Sequence, residues 1–207
     1  MEIGAVTAPR RNWVAQLHRF VEPREVERCD LCAGVIPAGH AHLLEHETRR
    51  LRCVCQGCAL SLGASARFCL VPPRAEKLPD LALGDAEWAA LQIPIEMAFI
   101  YRRGADGRAV AVYPGPAGAT EAALEERAWS EVAATHAALA DFAPDVEALL
   151  INRIRGAREC YRVSIDRCYS LVGLIRRHWR GLSGGAEAWD AIDAFFAALR
   201  SGEAAHG

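Results

Sequence analysis

Two cysteine pairs, Cys29-x-x-Cys32 and Cys55-x-x-Cys58, stand in the stretch "RCDLCAGVIPAGHAHLLEHETRRLRCVCQGCAL", residues 28–60. A C-x-x-C turn aims two thiolates at one ion while backbone amides of the turn donate to the sulfurs. Two such turns complete the tetrahedral sulfur set that Zn(II) prefers. The 22 residues between the pairs fit a hairpin, and "CQGCALSLGASA" can open a helix whose positive end favours thiolate. A knuckle, a hairpin and two ligands at a helix start make a zinc-ribbon or treble-clef-like module.

Cys53 makes the second half C-x-C-x-x-C, one thiol more than a tetrahedral site needs. It can face the module's small core, replace Cys55 as a ligand, or belong to an iron–sulfur cluster, whose ligands are also thiolates. Iron is therefore the alternative to zinc. The run "HLLEH", His42 to His46, matches an inverted zinc-protease pattern. That chemistry needs both histidines one turn apart on a helix, whereas this run leads into a β-type stretch. His40 and His42 would share one strand face, where solvent or contacts outside the ligand set are expected rather than ligation.

The elements that must position these groups follow from pattern. Trp13, Leu17, Phe20 and Val21 fall at helical spacing before Pro23, so residues 1–23 read as an N-terminal helix and 24–72 as the Cys-rich module. "VPPRAEKLPD", residues 71–80, reads as a boundary between modules. Beyond it, "IPIEMAFIYRR" and "RAVAVYP" flank "GADG" as a hairpin, and Thr120 can cap a helix over "EAALEERAWSEVAATHAAL". "VEALLINR" and "ECYRVSI" repeat the strand pair around "IRGA", and Asp166 can cap "RCYSLVGLIRRHW". A last helix covers "AEAWDAIDAFFAALR". The halves align at an offset of 50, Ala98 with Ala148 and Trp129 with Trp179. Residues 81–205 are thus expected to form an α+β domain of two ββα units plus a C-terminal helix, one sheet with helices on one face.

At 207 residues, 52% apolar, with a formal charge of −2, the chain has no global field for nucleic acid or an anionic membrane. No secretory signal or membrane-spanning run is read, so a cytoplasmic protein is expected, and in a reducing compartment clustered cysteines favour metal over disulfides. Locally the balance differs. Eight arginines against Glu159 and Asp166 over residues 150–180 leave an excess of six positive charges. Arg155, Arg158, Arg176, Arg177 and Arg180, with Ser183 and Gly184 of "WRGLSGG", form a candidate anion or protein-docking surface, the alternative being a solvated face. Gly181 suits the end of one helix and Ser183 the cap of the next. The acidic, aromatic helix after that loop argues against a DNA-reading helix-turn-helix. "YPGPAGATE" has the glycines of a phosphate cradle without the lysine, and a plain chain reversal is the favoured reading. Cys168 is expected in a core stripe with Leu171, Val172 and Ile175. No catalytic grouping emerges, and a non-enzymatic role is expected.

From about Arg28 to Arg200, "RCDLC", "HAHLLEHETRRLRCVCQGCAL", "LQIPIEMAFIYR", "YPGPAGATE", "DVEALLINR" and "YRVSIDRCYSLVGLIRRHWRGLSGG" resemble a family of uncharacterised actinobacterial proteins encoded beside high-affinity [NiFe]-hydrogenases. The resemblance implies an accessory to hydrogenase maturation, assembly or electron transfer, with a hydrogenase subunit or maturation factor as partner. It supplies no catalytic residue. The leading expectation is a metal-binding assembly factor acting through protein–protein contacts. A redox protein with an iron–thiolate or iron–sulfur site comes second, and a zinc-dependent nucleic-acid-binding regulator third.

Overall fold

The structure, a computed structural model, describes residues 26–122 and 124–202. The helix expected around Trp13 to Val21 lies outside them. Three short antiparallel strands form the first unit: β1 (Ala41–Glu45), β2 (Leu51–Val54) and β3 (Phe68–Leu70), in the order β2-β1-β3, with helix α1 (Gln56–Leu62) between β2 and β3. Strand β1 is buried on both faces. Leu43 packs with Ile36, Val54, Ala59 and Phe68 in the unit's own small core, while its neighbour Leu44 points the other way into the larger core.

Glu45 follows on β1 and is buried. Its carboxylate accepts from Arg67 Nε and Nη2 at 2.9 and 2.7 Å, from Arg52 Nη2 at 2.8 Å and from Thr48 Oγ1 at 2.7 Å. These bonds hold the Glu45 carboxyl well below its ordinary value of 4.5, at about 2, with those from Arg52 leading. A single carboxylate thereby ties both edges of the hairpin to the segment leading into β3.

The larger unit is a six-stranded antiparallel sheet, order β4-β9-β8-β5-β6-β7: β4 (Ala75–Lys77), β5 (Met97–Arg102), β6 (Ala109–Gly115), β7 (Gly118–Ala122), β8 (Glu147–Asn152) and β9 (Glu159–Ser164). Strand β4 lies inside the proline-rich stretch and pairs with β9 at the sheet edge. Helices cover both faces rather than one. On one side α4 (Ile165–His178) and α5 (Gly185–Ser201) pack over Phe99, Tyr101, Leu150 and Tyr161. On the other, α2 (Asp85–Ala90) and α3 (Glu126–Thr135) lie over Ala98, Ile100, Leu149 and Ile151. The reason is in the central strands: "AFIY" and "ALLI" are apolar at consecutive positions, so each face exposes side chains that water would penalise.

Three local expectations are corrected. Thr120 caps no helix; it sits on β7 opposite Tyr113, in a hairpin turned at Pro116 and Ala117. Helix α3 begins later, with the Glu125 carboxylate accepting from the Ala128 N–H at 2.6 Å. Asp166 lies in the first turn of α4, after the cap residue Ser164, and turns its carboxylate to His42, Nδ1 to Oδ2 2.9 Å. The offset-50 repeat also fails in register. Ala98 faces α2 and α3 whereas Ala148 faces α4 and α5, so only the strand order β6-β5-β8-β9 is symmetric.

Several contacts seat the small unit on the large one. Leu44 and Val71 belong to the core under α4 and α5, Arg49 bonds Asp145 at 2.5 Å, and the Arg49 guanidinium lies over the Tyr101 ring at 5.3 Å. The His42–Asp166 pair crosses the same junction.

Candidate metal centre

The four paired cysteines arrive from two local devices. Residues 29–34 close a knuckle in which the Cys29 N–H donates to the Gly34 carbonyl at 2.8 Å and the Ala33 N–H to the Cys29 carbonyl at 2.9 Å. Ala33 takes a left-handed φ of 59° to complete the turn. At the end of β2, Cys55 is the N-cap of α1, and its sulfur accepts from the Cys58 N–H at 3.4 Å. The hairpin folds the second pair back onto the first.

The Sγ atoms of Cys29, Cys32, Cys55 and Cys58 lie within 4.8 Å of one another, and Cys32 and Cys55 are 3.7 Å apart. Four bonds of about 2.3 Å in a tetrahedron place sulfurs about 3.8 Å apart, so the donor set fits a single metal ion. Electrostatics agree. Burial alone would push the Cys29 thiol up, but backbone N–H groups of Cys55, Cys32 and Leu31 reverse this and bring it to about 6. Cys55 is lowered by the Cys58 N–H, whereas hydrogen bonding with Cys55 and burial push Cys58 up to about 12. Cys32 is also raised: sharing with the Cys29 and Cys55 side chains outweighs the Gly34 N–H. Four thiols in one spot cannot all ionise without a cation to hold their charge.

Cys53 is not among those four. It packs in part against the module's small core and stands in register with His42 on β1, near His40. Burial pushes its thiol up. The "HLLEH" run is a strand, not a helix, and its glutamate is the buried Glu45, so its histidines have no shared helix face.

A model of a family of unknown function, DUF5947, matches residues 28–203. The chain belongs to that family. No curated protein and no solved structure matches it. The matched span takes in all four cysteines, both sheets and helix α5.

Four of the eight arginines over residues 150–180 are held in internal ion pairs. Arg153 and Arg158 share Asp85, Arg158 at 2.8 Å, and Arg162 meets the buried Glu147 at 2.5 Å. Arg155 bonds Asp193 at 2.8 Å and stacks over Trp189. Arg155 and Arg158 therefore point to opposite faces of the sheet. Arg176 and Arg177, in the last turn of α4, have no ion-pair partner among the described residues. The "WRGLSGG" loop closes on itself: Trp179 Nε1 donates to Gly181 O at 3.0 Å, Trp189 Nε1 to Ser183 O at 2.9 Å, and the Arg180 N–H to Gly184 O at 2.9 Å. The helix cap is Gly184 rather than Ser183, and its φ of 89° with the Trp179 ring 3.0 Å from any added Cβ leaves room only for glycine. Cys168, on α4, is fully buried in the core on that side of the sheet, which pushes its thiol far up, and Cys160 is buried on the opposite face. Sequence reading missed the aromatic cleft beside this loop, about 380 Å³, lined by Trp179, Trp189, Tyr113 and Ile154. Trp179 and Trp189 are ten residues apart, and their meeting depends on how α5 turns back along α4.

Proposed function

We propose that this protein is a metal-binding accessory or assembly factor that carries one structural Zn(II) on Cys29, Cys32, Cys55 and Cys58 in a treble-clef-like module and acts by protein–protein contact. The observation that carries the reading is the closed set of four sulfurs, which leaves the ion no open position for chemistry. The ion would supply cross-linking: the module's own core is only Ile36, Leu43, Val54, Ala59 and Phe68 around Cys29, too little to order such a unit without a staple. The exposed apolar side chains Leu31, Val35 and Leu60 flank the ligands, Val35 62% and Leu60 76% exposed, and suit a partner better than solvent.

The partner is proposed to belong to a [NiFe]-hydrogenase system, as the sequence resemblance implies, and the unpaired Arg176 and Arg177 suit an acidic patch on it. Affinity capture from the native host, read by mass spectrometry, tests this: enrichment of a hydrogenase subunit or maturation factor is expected, and its absence overturns the partner assignment. Four thiolates also hold iron. Colour separates the two, since Zn(II) is colourless and iron–thiolate sites absorb visible light.

A further inference from the structure

We propose a second metal site on the hairpin face opposite Leu43 and Val54, formed by His40, His42 and Cys53 and suited to a borderline-soft divalent ion of the zinc and cobalt type. One ring nitrogen of each histidine and the Cys53 sulfur lie within 4.8 Å of one another. This follows from register, because His42 stands opposite Cys53 across β1 and β2 and His40 is two residues before His42 on the same side. Bonds of about 2.0–2.3 Å bring such donors about 3.3–3.6 Å apart, so small side-chain rotations close the set.

The hydrogen bonds around the two rings argue for ligation rather than packing. His40 Nδ1 lies 2.9 Å from the Pro37 carbonyl, which can only accept, so Nδ1 carries the proton and Nε2 presents a lone pair. Glu27 Oε2, 3.4 Å from the same Nδ1, favours that tautomer further. The His40 side chain is only 6% exposed, and its Nε2 is buried without a hydrogen-bond partner. An orphaned acceptor in such a place costs free energy that a bound cation would recover. His42 Nδ1 donates to Asp166 Oδ2 at 2.9 Å, which likewise frees its Nε2. A carboxylate behind one histidine and a carbonyl behind the other is how metal-ligating imidazoles are held.

Two imidazoles and one thiolate leave a fourth position for water, unlike the closed four-sulfur centre. Binding releases the Cys53 thiol proton to solvent. The Asp30 carboxylate, from the knuckle between Cys29 and Cys32, accepts from the Cys53 N–H at 2.9 Å, so the two sites share a backbone support.

Anoxic titration of the metal-free full-length protein with Co(II) tests the proposal through the visible and thiolate charge-transfer bands. Wild type should take up two equivalents, the four-sulfur spectrum first and a weaker nitrogen-rich one second. His40→Gln/His42→Gln and Cys53→Ser should each take up one, keeping the four-sulfur spectrum. A single equivalent in wild type, or equal stoichiometry in wild type and the histidine variant, overturns the site. Should the hairpin variants lose both equivalents by unfolding, Asp166→Ala on α4 decides. Second-phase affinity weakened by about 10–100-fold with the first phase unchanged supports the site, and unchanged affinity overturns it.

Discussion

The three-stranded unit and the six-stranded unit solve the same problem with different means. The larger sheet buries apolar side chains on both faces, with Phe99, Tyr101 and Leu150 under α4 and α5, and Ile100, Leu149 and Ile151 under α2 and α3. The smaller one has a handful of apolar residues, one buried glutamate gripped by two arginines, and a cluster of four thiols that cannot all ionise unless a cation joins them. Burial alone can order the first. Polar and ionic cross-links must order the second, which makes it sensitive to metal and to pH.

The largest expected effect breaks the small unit and spares the large one. Cys29→Ser, or chelation of wild type, should abolish binding at the four-sulfur centre and remove hydrogen-exchange protection from residues 41–70, since structural zinc contributes about 10–16 kcal/mol in isolated zinc-finger peptides. Amides of β5 and β8 should stay protected. Loss of both together would mean that the units fold only as one.

The converse substitution sharpens the contrast. Leu150→Ala removes a fully buried side chain from the central strand β8 and should cost about 2–5 kcal/mol in urea unfolding followed by tryptophan fluorescence. Metal stoichiometry should be unaffected below the unfolding transition.

A smaller effect concerns Glu45. Its folded pKa of about 2 lies below the ordinary 4.5, so its ion pairs stabilise the protein above pH 4.5, and that contribution is lost as pH falls from 4.5 towards 2. Glu45→Gln should lower stability most at neutral pH, with the gap to wild type closing by about pH 2. A gap that is independent of pH would show that the carboxylate's charge is not what the arginines hold.

Smallest of all for stability is Arg176→Glu/Arg177→Glu, which touches no ion pair among the described residues and should change the free energy of unfolding by less than about 0.5 kcal/mol. Its effect should appear in association instead, as a slower, less salt-dependent approach to an acidic partner measured by surface-based kinetics.

What the sequence made legible divides along the same line. The pairs Cys29/Cys32 and Cys55/Cys58 are local signals, each a single turn, and those four sulfurs do converge. The hairpins around "GADG" and "IRGA" are equally local and form as expected. Non-local facts were not readable. Asp85 and Asp193 neutralise arginines far along the chain, so a count over residues 150–180 overstated the free charge. Thr120 and Asp166 have capping chemistry, yet strand pairing claimed one and His42 the other. The meeting of His40 and His42 with Cys53 depends on the register of β1 against β2, which a pattern of residue types does not specify.

The central claim is that Cys29, Cys32, Cys55 and Cys58 together hold one zinc ion. Metal analysis with a visible spectrum, on protein purified anoxically without added metal, tests it most directly. The account predicts a colourless protein with at least one tightly bound zinc per chain, a value that falls by one in Cys58→Ser. An iron chromophore, or a folded protein free of metal, would contradict it.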